Sequence, residues 1–187
     1  KASVALSGDS VVAVGSTTKL TTTKKASSRA KITYTSSDET IATVSEDGTV
    51  KGVKAGKATI TAKLTIGKDT ATATQEVEVK KAILKSADQT EYNKIEAVIV
   101  GDTKDIKPAD VKITNTATKA TVAVKSISAK KGAENTYVIE TFTGMTDAKE
   151  YSVEYAGSTA TFTATDNTVA KVALTKTEVP AGVKTPV

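Results

Sequence analysis

The 187-residue sequence contains no cysteine, no histidine and no tryptophan, and its aromatics are limited to five tyrosines and two phenylalanines. These gaps exclude much chemistry. Without cysteine there is no disulfide and no thiol nucleophile. Without histidine there is no Ser-His-Asp triad, no His-ligated zinc and no haem with a histidine axial ligand. Of the 26 basic residues, only Arg29 is arginine. Nucleic-acid binders use arginine for bidentate contacts and aromatic rings for stacking, so no nucleic-acid partner is expected. No run of 18 apolar residues occurs, so no membrane-inserted helix is expected either.

What remains is polar and β-prone. Threonine is the commonest residue at 34, beside 27 alanines and 21 valines. The net charge of +5 is unevenly spread, with +4 on residues 1–80, −1 on 81–168 and +2 on 169–187. The densest basic stretch runs from Lys19 to Lys31, with Lys24, Lys25 and Arg29 between. It reads as a solvated strand and loop surface, or as a contact for an anionic polymer or an acidic neighbour.

The dominant hydrophobic period is two. Ala58, Ile60, Ala62, Leu64 and Ile66 alternate with Thr59, Thr61, Lys63 and Thr65. Successive side chains of a strand leave opposite faces, so this run predicts a half-buried strand with Ile60 and Leu64 turned to the core. Threonine suits the outer face because it is β-branched and polar. The alternation recurs over 70–79, 120–124, 137–142, 151–155 and 158–164. Turn signals divide these runs: Glu46-Asp47-Gly48, Lys54-Ala55-Gly56-Lys57, Ile66-Gly67-Lys68-Asp69, the loop from Lys130 to Asn135, and Ala156-Gly157. Residues 90–98 read equally as a turn of helix or as a loop entering a strand over 97–100. Pro108 favours one short helical turn over 105–110. Short strands with turns every 8–12 residues predict an all-β chain of antiparallel β-sandwiches.

A boundary is expected near Lys80-Lys81 and another near Asp166-Asn167. The division is then 1–80, 81–166, and a stub, 167–187, made of a linker and the first strand of a following domain. Within the stub, Val172-Ala173-Leu174-Thr175 matches Val4-Ala5-Leu6-Ser7, as a serial repeat would. The chain starts at Lys1 and ends in strand-like sequence. We expect a piece of a longer protein, so the lack of a signal peptide says nothing about location.

The most specific series is Tyr34-Thr35-Ser36-Ser37-Asp38, Ile41-Ala42-Thr43-Val44, Asp47-Gly48, then Val50 to Gly56, then Ala58 to Ala62. Here Val44 and Val50 can meet across an Asp-Gly hairpin, Gly52 and Gly56 let the chain bend, and Asp38 can form an Asx turn. In this order the series resembles the bacterial Ig-like group 2 domain over residues 1–80. That family implies a β-sandwich serving as a surface-exposed spacer or adhesion module. Residues 81–166 resemble a second Ig-like type found in bacterial surface-layer (S-layer) proteins. The features that carry this are Ala82-Ile83-Leu84, the strand over 95–100, Ile106 to Val111, Lys149 to Tyr155, and Ala160 to Ala164. The resemblance implies two tandem Ig-like sandwiches of a secreted S-layer protein on the bacterial cell wall. It implies no enzymatic activity; the partners would be neighbouring S-layer protomers and an anionic wall polymer. An adhesin or invasin-like stalk, or the accessory domains of a secreted wall hydrolase, are the alternatives. The isolated chain is expected to be monomeric.

Few groups are left for chemistry. Glycosidases need two carboxyls across a cleft, one of them with its pKa raised by burial. The pairs Glu46-Asp47 and Asp38-Glu39 fall in turns, where carboxylates stay exposed and ionised. Serine and lysine are abundant enough for a Ser-Lys dyad, yet no Ser-x-x-Lys motif is expected around Ser7, Ser10, Ser16, Ser27, Ser28, Ser45 or Ser128. Gly52 to Lys57 lacks the spacing of a phosphate loop. No cofactor is expected. Calcium is the one metal the sequence leaves open, with Asp102, Asp105 and Asp110 as candidate ligands in one loop. The plainer reading is a solvated loop in which Asp105 caps a short turn.

Overall fold

A computed structural model describes residues 2–165, in which every regular element but one short 3-10 turn is a strand. The first nine strands are β1 (Ser3–Ser7), β2 (Val11–Ala13), β3 (Thr17–Lys19), β4 (Thr21–Lys25), β5 (Lys31–Ser36), β6 (Ala42–Val44), β7 (Thr49–Gly52), β8 (Gly56–Ile66) and β9 (Asp69–Lys80). One sheet has the order β2-β9-β8-β5. Facing it are the sheet β3-β7-β6 and the β1-β4 pair. The register of β8 is as the alternation predicts: Ala58, Ile60, Ala62 and Leu64 are buried, while Lys63 is exposed and Thr61 is half-buried on the outer face. Ile60 meets Val12, Leu20, Ala42, Val50, Val77 and Val79 in a core of small and medium aliphatic side chains.

The other eight strands are β10 (Ala82–Glu91), β11 (Lys94–Gly101), β12 (Val111–Asn115), β13 (Thr121–Val122), β14 (Val124–Ala129), β15 (Thr136–Thr141), β16 (Glu150–Tyr155) and β17 (Ser158–Thr163). They form two four-stranded sheets, β10-β11-β15-β14 and β13-β12-β16-β17. Between these sheets Leu84, Ile95, Ile99, Ile113, Ile139 and Val153 are buried, and the rings of Tyr151 and Phe162 stack at 5.8 Å. A bulge at Lys85 interrupts the β10–β11 register. One extra residue inverts the parity of the strand, which is why Ala82 and Leu84 point inward before it and Ala87 after it.

Four local expectations are corrected. Residues 90–98 contain no helix; β10 turns at Tyr92-Asn93 directly into β11, with Glu91 opposite Lys94. The run over 120–124 is not one strand: β13 pairs with β12, and β14 pairs with β15 in the opposite sheet. Alternation continues through this corner because both sheets face the same core, so period two does not show the crossing. Gly52 is required by close approach rather than by a bend. A Cβ there would stand 2.6 Å from the Ala13 carbonyl oxygen and 2.9 Å from Val79. Finally, β2 runs parallel to β9, the one parallel ladder among the described strands.

The turns follow the sequence closely. Gly48 at φ +81° closes the β6–β7 hairpin, in which Val44 lies opposite Val50. Ala156 and Gly157 both take positive φ between β16 and β17, the geometry of a two-residue type I′ turn. Pro108–Asp110 is the single short 3-10 turn among the described residues. Only Lys81 separates β9 from β10. Its carbonyl accepts the Asp102 N–H at 2.9 Å, and the preceding Lys80 carbonyl accepts the Val14 N–H at 2.9 Å. The stub over 167–187 and the boundary at Asp166-Asn167 lie outside the described residues.

Truncating Ile60 to alanine should cost about 2–5 kcal/mol of stability, the range for a fully buried large-to-small change. Thr61→Ala should cost far less. Urea denaturation of both variants checks the register, and a larger loss from Thr61→Ala would reverse it.

Candidate functional site

The polar side chains that sequence reasoning singled out are held by their own turns. Asp38 accepts the Thr40 N–H at 2.9 Å and the Thr40 hydroxyl at 2.6 Å, closing the expected Asx turn. These bonds, with the hydroxyl bond the largest cause, hold its carboxyl below the usual range. Asp47 sits at the tip of the β6–β7 hairpin and accepts bonds from the Lys19 ammonium, the Ser45 hydroxyl, and the Thr49 N–H and hydroxyl. The Lys19 bond is the largest cause of a carboxyl pKa well below the ordinary one. Asp47 is exposed and Asp38 half-buried, and both are ionised. Neither has the raised pKa that a general acid requires.

The three aspartates expected as calcium ligands share a loop but are not gathered into a cage. Among the described residues no group of three or more acidic side chains is placed to hold a metal ion. Asp102 accepts the Lys104 N–H at 3.4 Å, and Asp110 accepts the Lys107 N–H at 2.8 Å. Asp110, rather than Asp105, therefore closes the short turn, because it stands three residues after Lys107, where its carboxylate can reach back. Burial, then Asp110, Tyr137 and Asp102 in that order, raise the pKa of the Tyr155 phenol.

Contrary to expectation, the Ser-x-x-Lys spacing does occur, at Ser16 and Lys19, Ser28 and Lys31, and Ser128 and Lys131. It joins the two side chains only on a helix, where residues three apart share a face. None of these three lies on one. Within the basic stretch, Lys19 is taken by Asp47 and Lys24 donates to the Ala30 carbonyl at 3.3 Å. Lys25, Arg29 and Lys31 are exposed around the β4–β5 connection.

A cavity of about 370 Å³ opens beside β13, walled by Asn115, Thr118, Val122, Thr146, Lys149 and Tyr151. Two of its polar groups are engaged locally. The Asn115 carboxamide oxygen accepts the N–H groups of Ala117 and Thr118, and the Tyr151 hydroxyl accepts the Thr146 N–H at 2.9 Å. Two exposed aromatics were not anticipated. Tyr92 is 50% and Phe142 69% exposed, at the β10–β11 turn and just past β15, with the Tyr92 ring lying over Gly144. Their positions in turns were the available signal. The ion pairs Lys57–Glu76, Lys94–Glu91, Lys125–Glu140 and Lys130–Glu96 are exposed or half-buried surface contacts, a kind that contributes little to stability.

Paired sheets, edge-to-edge hairpins and turn-bound polar groups define an Ig-like β-sandwich protein. Residues 2–80 match the family model of the bacterial Ig-like domain (group 2). No curated protein matches the sequence. Solved structures with similarity include the N-terminal part of the bacterial S-layer protein SbsC, at 16% identity and TM-score 0.39, covering 46% of this chain and 24% of that one. SbsC domains 4 and 5 align at 14% identity and TM-score 0.32, covering 84% of this chain and 94% of that one. Three N-terminal domains of the bacteriophage RB49 Highly Immunogenic Outer Capsid protein align at 13% identity and TM-score 0.31, covering 86% and 68%.

Acid should weaken the fold through Asp38 and Asp47. Their folded pKa values lie below the unfolded one, so their stabilisation is complete above about pH 4–5 and is lost as pH falls through the folded values. The urea midpoint should hold from pH 7 to about pH 5 and drop below about pH 4. Asp47→Asn should flatten that drop; an unchanged acid slope would remove Asp47 from the account. Because Asp102 and Asp110 are bonded to their own loop, melting should be the same with and without a calcium chelator. A large chelator-induced loss would restore the three-aspartate site.

Proposed function

We propose that the chain is a structural segment of a secreted bacterial cell-surface protein, built from Ig-like modules over 1–80 and 81–166, with 167–187 opening a further one. In this reading the full-length protein is an S-layer protein that assembles into a lattice coating the cell. The observation that carries it is the junction: two sandwiches in series separated by Lys81 alone, with a backbone hydrogen bond to each flanking carbonyl. Such a link suits a tile or rod, in which orientation must pass from module to module. The bacterial Ig-like family of residues 2–80 supports a surface setting.

The outward strand faces fit weak, repeated contact. Thr59, Thr61, Lys63 and Thr65 of β8 lie beside Thr70, Thr72, Thr74 and Glu76 of β9. Contacts of this kind are small singly, but a lattice repeats each one across many copies and linked sites gain from effective concentration. The exposed bases from Lys25 to Lys31 are the surface for an anionic wall polymer. No catalysis and no cofactor belong to this reading.

The isolated chain should sediment as a monomer at micromolar concentration, while the full-length protein forms sheets. Electron microscopy of the full-length protein with this segment deleted is the test. Altered or lost lattice order is expected. Ordered sheets of unchanged dimensions would overturn the lattice role and favour the adhesin stalk.

A further inference from the structure

We propose that the parallel pairing of β2 with β9 is a tension clamp, through which the first sandwich carries load along the chain. Val11 lies opposite Glu78, Val12 opposite Val79 and Ala13 opposite Lys80. The pairing is extended at both ends: the Glu78 N–H donates to the Ser10 carbonyl at 2.7 Å, and the Val14 N–H to the Lys80 carbonyl at 2.9 Å. The Gly15 N–H adds a bond to the Gly52 carbonyl at 2.9 Å, and the Gln75 side-chain amide one to the Gly8 carbonyl at 3.0 Å. Val12, Ala13 and Val79 are at most 3% exposed, so water has little access to replace a broken bond.

Direction makes this pairing a clamp. The chain enters β2 at its N-terminal end and leaves β9 at its C-terminal end. In parallel strands those are opposite ends of the pair. Tension therefore slides the strands past each other and loads every bond across the pair together. Peeling two strands apart from one end breaks their bonds one at a time. After Lys80 a single residue leads into β10, so load reaches the clamp without slack. In the second sandwich the first and last described strands, β10 and β17, lie in different sheets and share no ladder. The inference goes beyond the lattice reading, since load-bearing would serve a stalk as well as a sheet.

The absence of cysteine allows pulling points to be chosen freely in the full chain. Cysteine handles at Ala2 and Lys81 load the pair in shear. Handles at Ala2 and Lys68 place both pulls at the same end of β9 and peel it. Single-molecule unfolding should need several times more force in the first geometry. Val14→Pro removes one clamp donor and should raise the unfolding rate at fixed force about fivefold or more, the factor that one net backbone hydrogen bond is worth. It should do so more than Ile60→Ala does at a matched loss of melting temperature. If Val14→Pro does not fold, the two pulling geometries decide alone. Equal forces in both geometries, or forces that simply follow thermal stability, would overturn the clamp.

Discussion

The eleven residue pairs between β8 and β9, from Gly56–Val79 to Ile66–Asp69, are the constraint on which the first sandwich depends. They fix which face of each strand is buried, and so place Ile60 and Leu64 inward beside Val77 and Val79. A slip of one residue would turn the threonine row into the core and the aliphatic row into water. The same ladder also positions the two outer members of its sheet. β5 pairs with β8 on one side, and β2 pairs with β9 on the other. With few aromatic side chains to fill space, the sheets close on alanine and valine. Gly52 is part of that closeness: its missing side chain is what admits the Ala13 carbonyl.

Much of this was legible in sequence because the determinants are local. Period two is a property of one strand, and Asp47-Gly48, Gly67-Lys68 and Ala156-Gly157 carry their turn geometry with them. What was not legible is what depends on a distant partner. The direction of β2 follows from where β9 happens to lie, and nothing in Val11-Val12-Ala13 distinguishes a parallel neighbour from an antiparallel one. The β13–β14 corner was missed for the same reason. At Tyr92-Asn93 the turn has no glycine or proline to announce it, so the run around it kept a false helical option. The Lys85 bulge was equally hidden, since an extra residue in a pairing is visible only against the strand it pairs with.

The candidate site was less legible than the fold, and for a physical reason. Composition shows which reactive groups are missing, but not what the remaining ones do. Asp47, Asp38, Asn115 and Asp110 each accept hydrogen bonds from backbone groups a few residues away. In a protein of many short strands, turn backbone needs side-chain acceptors, and the acidic and amide residues supply them. A cluster of aspartates in one loop is then as much a sign of turn chemistry as of metal chemistry.

Small sandwiches have thin margins: a unit of ~80 residues buries only a little over 60% of the surface its chain would expose. A serial arrangement relieves this where modules meet. At the junction Ala13 is 1% exposed and Ala82 is fully buried. Gly101, at φ +114°, has room for no side chain: a Cβ there would stand 2.5 Å from the Lys81 carbonyl oxygen and 3.1 Å from the Ala13 Cβ. The end of one sandwich therefore covers part of the end of the other. The backbone around Lys81 is hydrogen-bonded where a loose linker would be solvated. That coupling makes the junction a shared part of two small folds, in a chain that has no disulfide to brace it.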